Sequence, residues 1–277
     1  MDYHSNSMEY NDDHFQRSYE FDHRKAELVT KWLMWAIGII SLPLNGAVIF
    51  ATFSQVQRDV TRIYVMNLLV SDLLQLCFMM ALLPNDETFI LFYAYHFSLM
   101  ASVGFRTCLA LERCSVILCP RVSCFRQSIV CGVVCLFLWL VPLCVFIFAM
   151  FVPVSIVHVI YLLLPCPFLI STLVISLISL CVNSSVNLSL KHRVVGSVVL
   201  LVLVHMLLII PSLIVWLSGG TGSYILDHVP YVILKLVPLA DTFLYFFLTK
   251  RDTDNNLGNS VNRPVMNDES SHINSSV

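Results

Sequence analysis

The chain has 277 residues, 57% of them hydrophobic and 12% charged, with a formal net charge of −2. Soluble domains carry roughly a quarter charged residues, so this composition excludes an ordinary water-soluble fold, and the near-neutral balance excludes a nucleic-acid partner. The ten cysteines all lie between Cys77 and Cys181, mostly inside apolar runs or in the basic segment 113–126, and imply no disulfide framework.

Residues 1–29 are polar and read as a disordered extracellular tail. No short apolar core follows a basic start, so no cleavable signal peptide is expected and the first span itself acts as the signal. Seven apolar runs follow, at about 30–53, 62–83, 89–113, 128–151, 157–182, 193–217 and 228–248. Each reaches the roughly 20 residues that cross a bilayer as a helix. A membrane barrel would instead show alternating strands of about ten residues. The expected fold class is an all-α membrane protein, a seven-transmembrane helix bundle over 30–248 with its N-terminus outside. Residues 249–277, rich in Asn, Asp and Ser, read as a disordered cytoplasmic tail.

Lysine and arginine set the orientation. With seven spans, Arg58, Arg62, Arg113, Arg121, Arg126, Lys191, Arg193, Lys250 and Arg251 fall on one side, whereas 84–88, 152–156 and 218–227 contain neither residue type. The connections leave no room for a soluble domain, and there is no internal repeat of the kind many transporters carry.

Each apolar run holds a few polar residues. They are Asn45 in the first, Asn67 and Asp72 in the second, Ser102, Arg106, Glu112 and Arg113 in the third, and Trp139 in the fourth. The sixth holds His205 and Pro211, and the seventh Lys235, Pro238, Asp241 and Tyr245. Side chains four or seven positions apart lie on one helix face, so Ser102, Arg106 and Arg113 form a polar stripe expected to face the bundle. Charges inside a membrane are costly and mark functional positions.

This ordered pattern resembles the rhodopsin-like (class A) G-protein-coupled receptors across all seven spans. Asn45 matches the family's first-helix Asn, Asp72 in "NLLVSD" its second-helix Asp, and Glu112-Arg113-Cys114 its Asp/Glu-Arg-Tyr signature. Pro120 matches a second-loop proline, Trp139 the fourth-helix Trp, Pro211 the sixth-helix Pro, and "DTFLY" the seventh-helix motif through Asp241 and Tyr245. The resemblance implies that Glu112 holds Arg113 in the off state. It also implies that Arg113, once released, helps form the pocket for a heterotrimeric G protein, with Pro120, Pro211, Asp241 and Tyr245 in the switch.

Several positions depart from that pattern. Thr88 stands where the family has the Cys of its outer disulfide, and Cys166, the nearest outer cysteine, has no obvious partner. Ile209 replaces the sixth-helix Trp and Thr242 the seventh-helix Pro. The missing disulfide, the "ERC" signature and the short second outer loop are similar to the Mas-related receptors.

By the same resemblance Asn45, Asp72, Ser102 and Asp241 outline an internal polar site that takes sodium in the family. Arg106 lies one turn below Ser102, and we expect its guanidinium to pair with Asp241 or Asp72 and displace sodium from Asp72. His205 either titrates near neutral pH or is a satisfied core residue. Lys235 lies six residues before Asp241, about 9 Å along a helix, the spacing of the opsins' retinal lysine. The aligned third-helix position is Leu91, which supplies no counter-ion, so no cofactor is expected. Lys235 either recognises an anionic ligand group or is paired internally.

Outside the spans, Tyr10 and Tyr19 are acid-flanked and could be sulfated for a basic peptide partner. Ser270 and Ser271 suit arrestin or kinase regulation, and the end "INSSV" suits a PDZ protein through Ser275 and Val277. No motif of an enzyme is present. The function expected is reception of an extracellular peptide or small anionic molecule at the plasma membrane. A seven-span non-signalling binding or scavenging receptor and, third, a polytopic transporter stay open.

Overall fold

The computed structural model describes residues 3–54, 60–84, 89–118, 128–149, 151, 155–182, 188–218, 229 and 232–245, with side chains from residue 24 onward except at scattered positions. All regular structure in them is helical: α1 Tyr3–Ser54, α2 Val60–Leu82, α3 Phe89–Leu118, α4 Ser128–Ala149, α5 Ser155–Leu163, α6 Pro165–Val182, α7 Leu188–Val204 and α8 Ile210–Leu217. A last helix, α9, covers 232–235 and 237–245. Thr88, Pro120, the tail 249–277 with its proposed arrestin and PDZ signals, and the side chains of Tyr10 and Tyr19 lie outside the described residues.

Among the described residues, five stretches are long and apolar enough to cross a membrane: Arg24–Ser54, Val60–Leu82, Ile129–Ala149, Val157–Ser179 and Val194–Val215. This is a membrane protein. Between these stretches runs α3, 30 residues long and carrying Arg106, Glu112 and Arg113. It packs against α2, α4, α6 and α7 and forms the middle of the fold.

The helix starts differ from expectation most clearly at the N-terminus, where α1 begins at Tyr3 rather than near residue 30. No Pro or Gly interrupts residues 3–37, and these residues include the helix formers Glu, Arg, Lys and Ala. Farther along, Lys31 Nζ lies 3.0 Å from Glu27 Oε1, one helical turn away.

Prolines explain the interruptions. Pro165 and Pro167 lack the N–H that would continue the ladder, and the chain breaks at Leu164, whose N–H still bonds Ile160 O at 2.9 Å. Before Pro211 the helix widens into a π turn, His205–Ile209, in which the Ile210 N–H bonds His205 O. π turns of this kind absorb an extra residue and commonly sit at functional sites. In α9 the turn at Leu236 precedes Pro238, and the Ala240 N–H bonds Leu236 O at 3.0 Å.

The core has two layers along α3. One gathers Tyr64, Leu68, Phe105, Leu109, Val198, Leu201, Leu244 and Tyr245 around the Glu112 half. The other gathers Leu76, Tyr95, Leu99, Val103, Leu162, Ile209 and Val237 around the opposite half. The Phe105 and Trp139 rings meet at 5.6 Å, and Trp139 Nε1 donates to Asn67 Oδ1 at 3.0 Å, tying α4 to α2. Gly104 permits close approach here, because a Cβ would come within 2.9 Å of Leu138 Cδ2. The outward faces are apolar, as at Val133, Leu136 and Phe137 on α4. Against lipid such exposure carries no penalty, so helix association rests on packing and on buried polar contacts.

Candidate functional site

Four polar side chains meet between the two core layers. Asp72 comes from α2, Ser102 and Arg106 from α3, and Asp241 from α9, and none is more than 1% exposed. Arg106 Nε donates to Asp241 Oδ1 at 3.1 Å, and its Nη2 forms an ion pair with Asp241 Oδ2. Nη2 also donates to Ser102 Oγ at 3.3 Å, and Ser102 Oγ donates to Asp72 Oδ1 at 2.8 Å. The sequence left Arg106 a choice of carboxylates, and the geometry assigns it to Asp241, with Ser102 relaying the contact to Asp72. The planar fork of the guanidinium suits one carboxylate through two donors, and helix packing makes that carboxylate Asp241.

In the cluster, Asp72 Oδ2 and Arg106 Nη1 make no hydrogen bond among the described residues, and on α1 neither do the buried Ser41 Oγ and both amide atoms of Asn45. Asn45, buried on α1, makes no direct hydrogen bond to the cluster. The donor set does not suit a sodium ion. Both Asp241 oxygens and the Ser102 hydroxyl are engaged by Arg106, which leaves Asp72 to supply the remaining anionic oxygen. Exchanging sodium chloride for choline chloride should accordingly leave the thermal midpoint of the purified protein unchanged within about 1 °C. A specifically bound ion at a hundredfold excess over its Kd would add about 2.7 kcal/mol, and a rise of several degrees in sodium would refute the assignment.

The Glu112 half of α3 holds a second arrangement. Glu112 is 2% exposed, and its Oε1 accepts a hydrogen bond from Thr61 Oγ1 at 2.9 Å. Arg113 Nε lies 3.8 Å from Glu112 Oε2. Arg113 sits beside Glu112, at 17% side-chain exposure, nearer the helix end than Ser102 and Arg106. Tyr245 packs in the core layer next to this end. Pro211 is the second residue of α8, after the π turn and Ile210, and Thr242 Oγ1 donates to Pro238 O at 2.8 Å where the resembled family has a proline.

Lys235 is 1% exposed, with Nζ 3.0 Å from the centroid of the Tyr95 ring. Tyr95 in turn accepts a hydrogen bond at Oη from Gln75 Nε2 at 3.0 Å. Next to Tyr95 along α3, His96 meets His158 of α5 at 5.5 Å between ring centroids. Gln75 and Tyr95 escaped the sequence reading, as did Thr61. Gln75 could have been found, since it is an amide in an apolar run one turn from Asp72. Tyr95 carried no such signal, because an aromatic residue in a span is ordinarily core.

His205 is fully buried and meets a thiol: Cys166 Sγ lies 3.4 Å from His205 Nε2. Cys166 belongs to the interior of the Val157–Ser179 stretch rather than to an outer surface. No family model matches the chain, and no curated protein sequence is significantly similar to it.

Proposed function

We propose that the chain is a seven-helix receptor of the rhodopsin-like G-protein-coupled kind, lying in the plasma membrane with its N-terminus outside. In this reading α3 and α9 join the five long apolar stretches as the remaining spans, and α5 with α6, and α7 with α8, each make one interrupted span. What supports it most is the buried Arg106 and Asp241 ion pair with its Ser102 and Asp72 relay, which couples α2, α3 and α9 by charge inside an otherwise apolar protein. Such a cluster is costly to build in lipid and is expected where a protein needs a switch.

Ligand would act near Lys235 and the Tyr95 ring. A small movement of α9 there reaches Asp241 one and a half turns farther along the same helix, and so reaches Arg106 and α3. The π turn ahead of Pro211 is a natural hinge for α8 against α7. Loosening there would free Arg113 from Glu112 to receive a heterotrimeric G protein. Such a change is a shift between two populations, so an agonist must bind the on state more tightly.

The test needs no ligand. Cells expressing the wild type and Arg113→Ala at matched surface levels are compared for basal nucleotide exchange across a panel of Gα subunits. Exchange above mock cells that Arg113→Ala reduces by tenfold or so, about 1.4 kcal/mol, supports coupling through Arg113. Exchange that persists unchanged in Arg113→Ala removes Arg113 from the mechanism. Silence in both favours the second reading, a non-signalling binding receptor, which Ile209 and Thr242 favour because they replace the family's sixth-helix Trp and seventh-helix Pro.

A further inference from the structure

We propose that Cys166 is a covalent attachment site for apolar α,β-unsaturated carbonyl compounds dissolved in the membrane, with His205 as the base that serves its thiol. Two irregularities of the backbone bring the pair together. Cys166 sits between Pro165 and Pro167 just after the break at Leu164, and His205 opens the π turn. The contact of Sγ with Nε2 at 3.4 Å is within thiol hydrogen-bond range.

The imidazole is fully buried, and its Nδ1 makes no hydrogen bond among the described residues. The ring lies near the Leu162 backbone. Proline at 165 and the break at Leu164 disturb the ladder next to it. A ring with its proton on Nδ1 presents the Nε2 lone pair to the thiol, which is the tautomer a general base requires.

Cys166 is also reachable from the lipid. It is partly exposed, and its neighbours Leu164 and Phe168 are 57% and 50% exposed on the outer face of the helix. An electrophile with an apolar tail would approach along that face, which a charged reagent cannot enter without leaving water.

The reaction balances without an oxidant or a leaving group. As Sγ attacks the β-carbon, the thiol proton passes to His205 Nε2 and the carbon–carbon π pair moves to give an enolate. Nε2–H then returns the proton to the α-carbon, leaving a thioether and the neutral ring. The adduct would displace the thiol from His205 and so separate α6 from the π turn.

Two other thiols serve as internal controls. Cys77 and Cys144 are more exposed than Cys166 and have no imidazole contact among the described residues. Full-length protein in lipid nanodiscs is treated with trans-2-nonenal, and adducts at each cysteine are followed by peptide mass spectrometry. Positioned bases contribute roughly a hundredfold or more, so Cys166 is expected to react at least about tenfold faster than Cys77 and Cys144. A charged maleimide should leave Cys166 unmodified. His205→Gln should bring Cys166 to the rate of the controls while the buried Cys131 stays unlabelled, which reports an intact fold.

Equal or faster reaction at Cys77 or Cys144 in the wild type overturns the proposal. So does an unchanged Cys166 rate in His205→Gln with Cys131 still protected. If His205→Gln exposes Cys131, His205→Asn replaces it and the wild-type rate ratio decides on its own.

Discussion

Asp241→Leu is expected to lower stability by about 3 to 5 kcal/mol, the cost of leaving a buried partner charge uncompensated. The effect should exceed that of a typical polar deletion in a membrane bundle, which averages about 0.6 kcal/mol, because Arg106 is fully buried and directs two of its donors at Asp241. The guanidinium cannot escape by losing its proton, nor does the fully buried residue reach water. Thermal unfolding in detergent, followed with a thiol-reactive dye, reads the loss. The decisive companion is Arg106→Met with Asp241→Leu, which removes both charges and should recover most of the stability, since an apolar pair of similar volume replaces a buried ion pair at little or no net cost. A single Asp241→Leu variant within about 1 kcal/mol of the wild type would mean that Arg106 finds equal compensation at Asp72, and the assignment of its partner would fall.

The second large effect is expected at Tyr95. The ring lies 3.0 Å from Lys235 Nζ and its hydroxyl accepts the Gln75 amide. Tyr95→Phe keeps the ring and loses one neutral hydrogen bond, about 1 kcal/mol. Tyr95→Leu also removes the face on which a desolvated ammonium rests, worth about 2 kcal/mol, and leaves a space in a packed layer, so a total of about 3 kcal/mol or more is expected. Unfolding midpoints of the two variants separate these contributions. Equal loss in both would show that the hydroxyl alone matters and that the cation and ring contact contributes nothing. The pair also bears on ligand action, because any anion that draws Lys235 from the ring must replace the same stabilisation.

These two sites show how unevenly the arrangement could be read in advance. Arg106, Asp72, Ser102 and Asp241 are polar residues in apolar runs, and cost alone makes such residues conspicuous. Helical spacing then placed Ser102 and Arg106 on one face of α3. Spacing within one helix says nothing about which carboxylate on another helix is nearer, so Asp241 and Asp72 could be separated only by the packing of α9 against α3. Lys235 was equally conspicuous, yet its partner Tyr95 was invisible, because a tyrosine in an apolar helix has no cost to betray it. Cys166 and His205 were noticed separately, and nothing local linked them. Their contact depends on the break at Leu164 and the widened turn before Pro211, two backbone adjustments whose combined displacement exceeds what propensity can foresee.

What the amino-acid sequence by itself determined is the medium and the material: long apolar runs that require lipid, helices that satisfy their own backbone there, and a short list of charges too expensive to be incidental. Only the tertiary structure decided the pairings, Arg106 with Asp241, Lys235 with Tyr95, and Cys166 with His205. Each joins residues from different helices, and the energy that selects a partner in a low-dielectric interior depends on distances and directions that arise only when the helices pack.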